Sequence, residues 1–269
     1  MAPWLEPSQA PGRGGSLART FAGTWARWCV GARMRAQQTW PASTLAGTLV
    51  RMLVFTFANL KGGSGKTLLA TNLASALHAA GHRIALIDVD QQGSSLAWRA
   101  RASELGVEGP PCFATRASAL RADLPGLVGS FDALVIDSPA RLGAEARAAV
   151  LVADVVLVPI APGAADLWAA RETVAVIEEA RSFRPELRAR SVLNRADRTQ
   201  LARLAERALA DLGIEPLGVT IGSRVAFGEA MLAGEGVVTH APKSEAAAEV
   251  RRLTRAVLAA VATERTVAA

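Results

Sequence analysis

Two of the chain's three lysines, Lys61 and Lys66, fall inside one seven-residue stretch, Lys61-Gly62-Gly63-Ser64-Gly65-Lys66-Thr67. Glycines in this arrangement let backbone N–H groups close around phosphate oxygens, an approach that a Cβ would obstruct. A lysine ending such a loop reaches terminal phosphates, and a hydroxyl directly after it suits a Mg²⁺ ligand at the start of a helix. The strict pattern G-x-x-x-x-G-K-[ST] is not met, because Leu60 stands where its first glycine belongs.

Two further stretches offer carboxylates. Ile84-Ala85-Leu86-Ile87-Asp88-Val89-Asp90 ends an apolar run in two acids, and residues i and i+2 of a strand share a face. Ligands of open α/β sheets bind at the carboxyl ends of strands, which makes Asp88 and Asp90 candidates for a nucleotide cleft. The competing structural reading is that strand-end aspartates cap the next helix. Phe131-Asp132-Ala133-Leu134-Val135-Ile136-Asp137 likewise ends in an acid, the form of strand whose carboxylate holds Mg²⁺ or its water.

These groups need a scaffold that brings strand ends together. From Met52 onward apolar strand-like runs alternate with helical segments, the pattern of a parallel twisted sheet with helices on both faces. The runs 52–58, 83–88, 111–115, 133–137, 154–160, 191–194 and 216–219 are predicted strands. Segments 66–80, 94–105, 117–128, 143–152, 165–182, 199–212, 224–233 and 244–262 are predicted helices. The expected fold is a three-layer α/β domain over residues 52–269.

Residues 1–51 differ in composition. They hold six arginines against one acid, Glu6, together with Pro3, Pro7 and Pro11 and four of the chain's six tryptophans. They are expected to form a disordered N-terminal extension or to precede the natural start, with Met52 as the first residue. The net charge of +6 therefore lies mostly outside the body. No run reaches the roughly 18 apolar residues that a transmembrane helix needs. Two distant cysteines, Cys29 and Cys112, offer neither a zinc spacing nor a disulfide framework.

The loop from Lys61 to Thr67 resembles the deviant Walker A loop of the ParA/MinD family of P-loop ATPases. Asp88-Val89-Asp90-Gln91-Gln92-Gly93 is similar to that family's D-x-D-P-Q-G segment, with Gln91 in place of proline. Val155 to Ile160 followed by Asp166-Leu167-Trp168, the run Ser191-Val192-Leu193-Asn194-Arg195, and the segments Arg224 to Ala230, Gly234 to Val238 and Pro242-Lys243-Ser244 extend the resemblance along the body. The resemblance implies ATP and Mg²⁺ as cofactors. Lys61, Gly62, Gly63, Ser64, Gly65, Lys66, Thr67 and Leu68 would bind the phosphates, and Asn194 the adenine. Thr67, Asp88 and Asp137 would serve the metal, and Asp90 would position the attacking water. Lys61 would cross to the nucleotide of a second subunit, so that ATP dimerises the chain and slow hydrolysis resets it.

Within this family the expected function is DNA partition in the cytoplasm, associated with the nucleoid. An ATP-bound dimer would bind DNA non-specifically until a ParB-like or other small DNA-binding adaptor stimulates hydrolysis. Arg195, Arg224, Arg251, Arg252 and Arg255 are the candidate DNA contacts. The alternatives are an ATPase positioning another cargo, or a membrane-cycling regulator of the MinD type. The last would need Val250, Leu253, Val257, Leu258 and Val261 to face lipid, whereas core packing is the expected use of that stripe. The absence of tyrosine argues against self-phosphorylating tyrosine kinases, and the single body cysteine against iron-protein reductases.

Overall fold

Short runs of aliphatic and β-branched residues form strands stably where both faces are covered. In the computed structural model, which describes residues 52–196 and 200–262, seven such runs make one sheet. They are β1 (Leu53–Phe57), β2 (Ile84–Asp88), β3 (Cys112–Ala114), β4 (Ala133–Asp137), β5 (Val155–Ile160), β6 (Arg188–Asn194) and β7 (Glu215–Ile221). Their order is β3-β2-β4-β1-β5-β6-β7, and every pairing is parallel. The expectation about residues 1–51 lies outside the described residues.

The connecting helices are α1 (Lys66–Ala79), α2 (Ser94–Glu104), α3 (Ala117–Leu127), α4 (Ala144–Leu151), α5 (Ala164–Arg181) and α6 (Gln200–Ala210). After β7 come α7 (Val225–Leu232), α8 (Val237–His240) and α9 (Glu245–Ala262). Alternate residues of the central strands feed two separate cores. Leu53, Phe55 and Phe57 pack with Leu69 and Leu73 of α1 and with Val250 and Leu253 of α9. Val156, Val158 and Ile160 pack on the other face with Val174 and Ile177 of α5 and Leu209 of α6. This is the expected three-layer arrangement.

Strand β6 starts earlier than its sequence suggested, at Arg188 instead of Ser191. Arg188 and Arg190 hide the strand because charged side chains break its apolar run. Their backbone still pairs with β5, and the Arg188 guanidinium reaches across to donate to the Ala260 carbonyl at 3.1 Å.

Helix α9 decides the fate of the C-terminal apolar stripe. Val250, Leu253 and Val257 are fully buried, while Leu258 and Val261 pack partly against the same core. The stripe is spent on the fold, as expected. Among the described residues no helix is long and apolar enough to cross a membrane. Leu253→Ala should therefore destabilise the protein by about 3 kcal/mol, lowering Tm by roughly 6–12 °C in a thermal melt. A melting temperature within a degree of the unmodified chain would show that the stripe is not core.

Candidate functional site

Because all strands run the same way, the segments that follow β1, β2, β4, β5 and β6 emerge along one edge of the sheet. The phosphate-type loop follows β1 at the sheet's centre and leads into α1. Gly63 and Gly65 adopt φ of +76° and +96°, a left-handed backbone open to glycine at low cost. Gly65 is also the residue before α1, which carries no side-chain cap, so the helix's first N–H groups remain available to an anion.

Side chains from other elements hold the front of this loop. Asn59 is fully buried; its Nδ2 donates to the Pro159 carbonyl at 2.7 Å, and its Oδ1 accepts the Lys61 N–H at 2.8 Å. The Leu60 N–H donates to Thr173 Oγ1 on α5 at 3.0 Å. Lys66 is buried, and its ammonium donates to the Lys61 carbonyl at 3.2 Å. Burial lowers its pKa, while Asp137 and Asp90 raise it. Lys61, one-third exposed, forms an ion pair at 2.7 Å with Asp166 in the first turn of α5.

Strands β2 and β4 are neighbours, and their register sets Asp88 beside Asp137. The two acids behave differently. Asp88 Oδ1 accepts the Asp90 N–H at 3.1 Å and its Oδ2 the Leu96 N–H at 3.0 Å. Through these bonds Asp88 shapes the turn that carries Asp90. Asp90 remains half-buried, its Oδ1 accepting the Gln92 N–H at 3.0 Å.

Asp137 keeps a free end. Its Oδ2 accepts the Ser95 hydroxyl at 2.8 Å, while the buried Oδ1 has no partner. Burial pushes its pKa up to about 6, opposed by the Thr67 and Ser95 hydroxyls and by Lys66, with Asp88 adding to the rise. An unpaired buried carboxylate oxygen beside a threonine hydroxyl fits a hard divalent cation, which takes oxygen ligands. Thr67 and Asp137 are therefore the residues that could hold Mg²⁺.

Asn194, at the end of β6, is buried and donates from Nδ2 to the Ser64 carbonyl at 2.8 Å. The structure thus gathers the loop, Asp88, Asp90, Asp137 and Asn194 along one sheet edge. A cavity of about 480 Å³ opens beside Asp90, lined also by Gln92, Arg141, Leu142 and Glu145. The candidate DNA-binding arginines divide between two places. Arg195 and Arg224 follow the ends of β6 and β7, with Arg224 held by the buried Glu249 at 2.9 Å. Arg251, Arg252 and Arg255 lie on α9, where Arg252 pairs with Glu245 at 2.8 Å. Sequence reasoning missed Asn59, Thr173 and Ser95, and it did not link Asp166 to Lys61.

The model of the CobQ/CobB/MinD/ParA nucleotide-binding domain matches residues 55–237, which span the loop, the acids and Asn194. The chain belongs to this family. It is a nucleotide-binding ATPase of the ParA/MinD type. Among relatives, it is 30% identical over 195 residues to the Maintenance of carboxysome distribution protein A of Halothiobacillus neapolitanus, covering 71% of this chain and 89% of that one. It is 31% identical over 235 residues to the Chromosome-partitioning ATPase Soj of Thermus thermophilus, covering 76% and 94%. Its fold matches that of the septum site-determining protein MinD of Pyrococcus horikoshii, solved with Mg-ADP, at TM-score 0.62 and 19% identity, over 77% of this chain and 96% of that one.

The raised pKa of Asp137 has a stability consequence. A carboxyl with folded pKa about 6 against an ordinary 3.8 stabilises the fold while protonated. That contribution, about 3 kcal/mol, is lost as pH rises from about 4 through 6. Asp137→Asn should remove this loss, so without added nucleotide or metal the variant should melt higher than the unmodified chain above pH 6, the gap closing towards pH 4. A constant gap across that range would contradict the assignment.

Proposed function

We propose that this chain is an ATP-driven positioning ATPase whose ATP-bound form is a homodimer that holds DNA non-specifically, and that hydrolysis stimulated by an adaptor protein releases it. The observation that carries the reading is the pair of lysines. Lys66 lies buried within the loop near Asp137 and Asp90, where one cation suffices for the nucleotide's own phosphates. Lys61 stands at the loop's mouth, one-third exposed, in an ion pair with the mostly buried Asp166. A second lysine there serves a nucleotide bound to a facing subunit.

On this reading the ATPase unit is residues 52–269. The N–H groups of Gly62 to Leu68 cradle the phosphates, and Lys66 balances their charge. Thr67 and Asp137 would hold Mg²⁺, which neutralises charge building on the phosphate oxygens. Asp90, held by the turn that Asp88 anchors, orients the water and accepts its hydrogen. The relatives' names cover carboxysome distribution and chromosome partition. Both describe placing a large body in a cell, so the cargo of this chain is a plasmid, a chromosome or another cellular body. The expected location is the cytoplasm, on the nucleoid. Burial of the α9 stripe favours DNA over lipid as the matrix.

Light scattering after size exclusion should find a dimer with ATP and a monomer with ADP. DNA retention should require ATP and weaken steeply between 50 and 200 mM salt, as phosphate contacts dictate. Lys61→Ala should still bind ATP yet fail to dimerise, losing DNA retention and at least tenfold in adaptor-stimulated turnover. The reading is wrong if Lys61→Ala dimerises with ATP and hydrolyses it like the unmodified chain. ATP-dependent sedimentation with anionic liposomes, without DNA retention, would transfer the chain to the membrane-cycling class.

A further inference from the structure

Asn194 closes β6, and the resemblance assigns it to the adenine, but its bonding points to the phosphate loop. The side chain is 1% exposed, and its Nδ2 reaches across 130 residues to the Ser64 carbonyl. A carbonyl only accepts, so the NH₂ end of the amide is the end that must face the loop. The contact is so close that a Cβ on Gly65 would stand 2.0 Å from Asn194 Nδ2. Gly65 is thus required twice, by its φ of +96° and by this approach.

The chain leaves the strand immediately afterwards. Arg195 is the one non-glycine residue with positive φ among the described residues, at 51°, and the Ala196 N–H returns to the Ile221 carbonyl at 3.1 Å. This turn keeps Asn194 at the strand's end and against the loop. Peptide planarity then does the rest: the Ser64 carbonyl and the Gly65 N–H share one plane and point in opposite directions. Holding the carbonyl towards β6 aims the N–H away from it.

We propose that Asn194 is a positioning residue for the phosphate loop, acting through the Ser64–Gly65 peptide, and that it serves phosphate affinity whichever base is attached. The proposal deepens the nucleotide-site reading and rests on it. Its test uses the full chain with Mg²⁺, titrated calorimetrically with ATP, GTP and inorganic tripolyphosphate. Asn194→Ala should weaken all three by a similar factor, roughly 5–30-fold for one buried hydrogen bond. A loss confined to ATP, with tripolyphosphate unchanged, would overturn the proposal in favour of base recognition, and no change in any of the three would overturn it outright.

Hydrogen exchange gives a readout that does not depend on which nucleotide binds. Without ligand, amides 62–66 should exchange faster in Asn194→Ala than in the unmodified chain, while amides of β2 stay protected. Asn194→Leu, of similar size but lacking the donor, should reproduce this without burying a charge and covers the case in which the alanine variant does not fold. Unaltered exchange in both variants overturns the proposal. Failure of the unmodified chain to bind ATP would instead sink the nucleotide reading, leaving exchange to decide the role of Asn194 in the loop.

Discussion

A loop that grips phosphate must leave its N–H groups unpaired and still hold them in place. Those two demands conflict, because unpaired backbone is normally mobile or costly to bury. The structure resolves the conflict from outside the loop. Asn59 at the end of β1, Thr173 on α5 and Asn194 at the end of β6 each bond a backbone group at the front or back of the loop. Each bond contributes on the order of 1 kcal/mol net, and together they fix a segment that cannot bond to itself. The central position of β1, between β4 and β5, makes this possible, since anchors can then arrive from one side and carboxylates from the other.

Charge follows from the same placement. Lys66 and Asp137 are both buried, and burial pushes each towards its neutral form. Neither charge is comfortable without a partner of opposite sign, which is the electrostatic condition for a site that takes an anionic phosphate and a cation together. Lys61 sits under a different regime. It is one-third exposed, and its partner Asp166 is mostly buried. Within one loop, therefore, one lysine lies among desolvated charges and the other reaches solvent at the loop's mouth.

Much of the fold was legible in the sequence. Seven apolar runs and the helices between them were readable because a parallel sheet covered on both faces demands nearly continuous hydrophobic strands. The exceptions have physical causes. Arg188 and Arg190 disguised the start of β6, and four-residue α8 is too short to show a helical period. The amphipathic stripe of α9 was visible, but lipid and protein core ask for the same periodicity. Only the packing of Val250, Leu253 and Val257 against β1 and α1 residues separated the two.

By itself the sequence determined the local chemistry of this protein. Glycines that permit positive φ, a lysine and threonine at a helix start, and acids ending apolar strands act through neighbouring backbone and so are written in short stretches. Tertiary structure alone decided the partners: Asn59 with Pro159, Leu60 with Thr173, Lys61 with Asp166, Ser64 with Asn194 and Ser95 with Asp137. It also left one oxygen of Asp137 without a hydrogen bond. These contacts join residues dozens to more than a hundred positions apart. Strand order and register set them, and no local propensity encodes which strand end will face which.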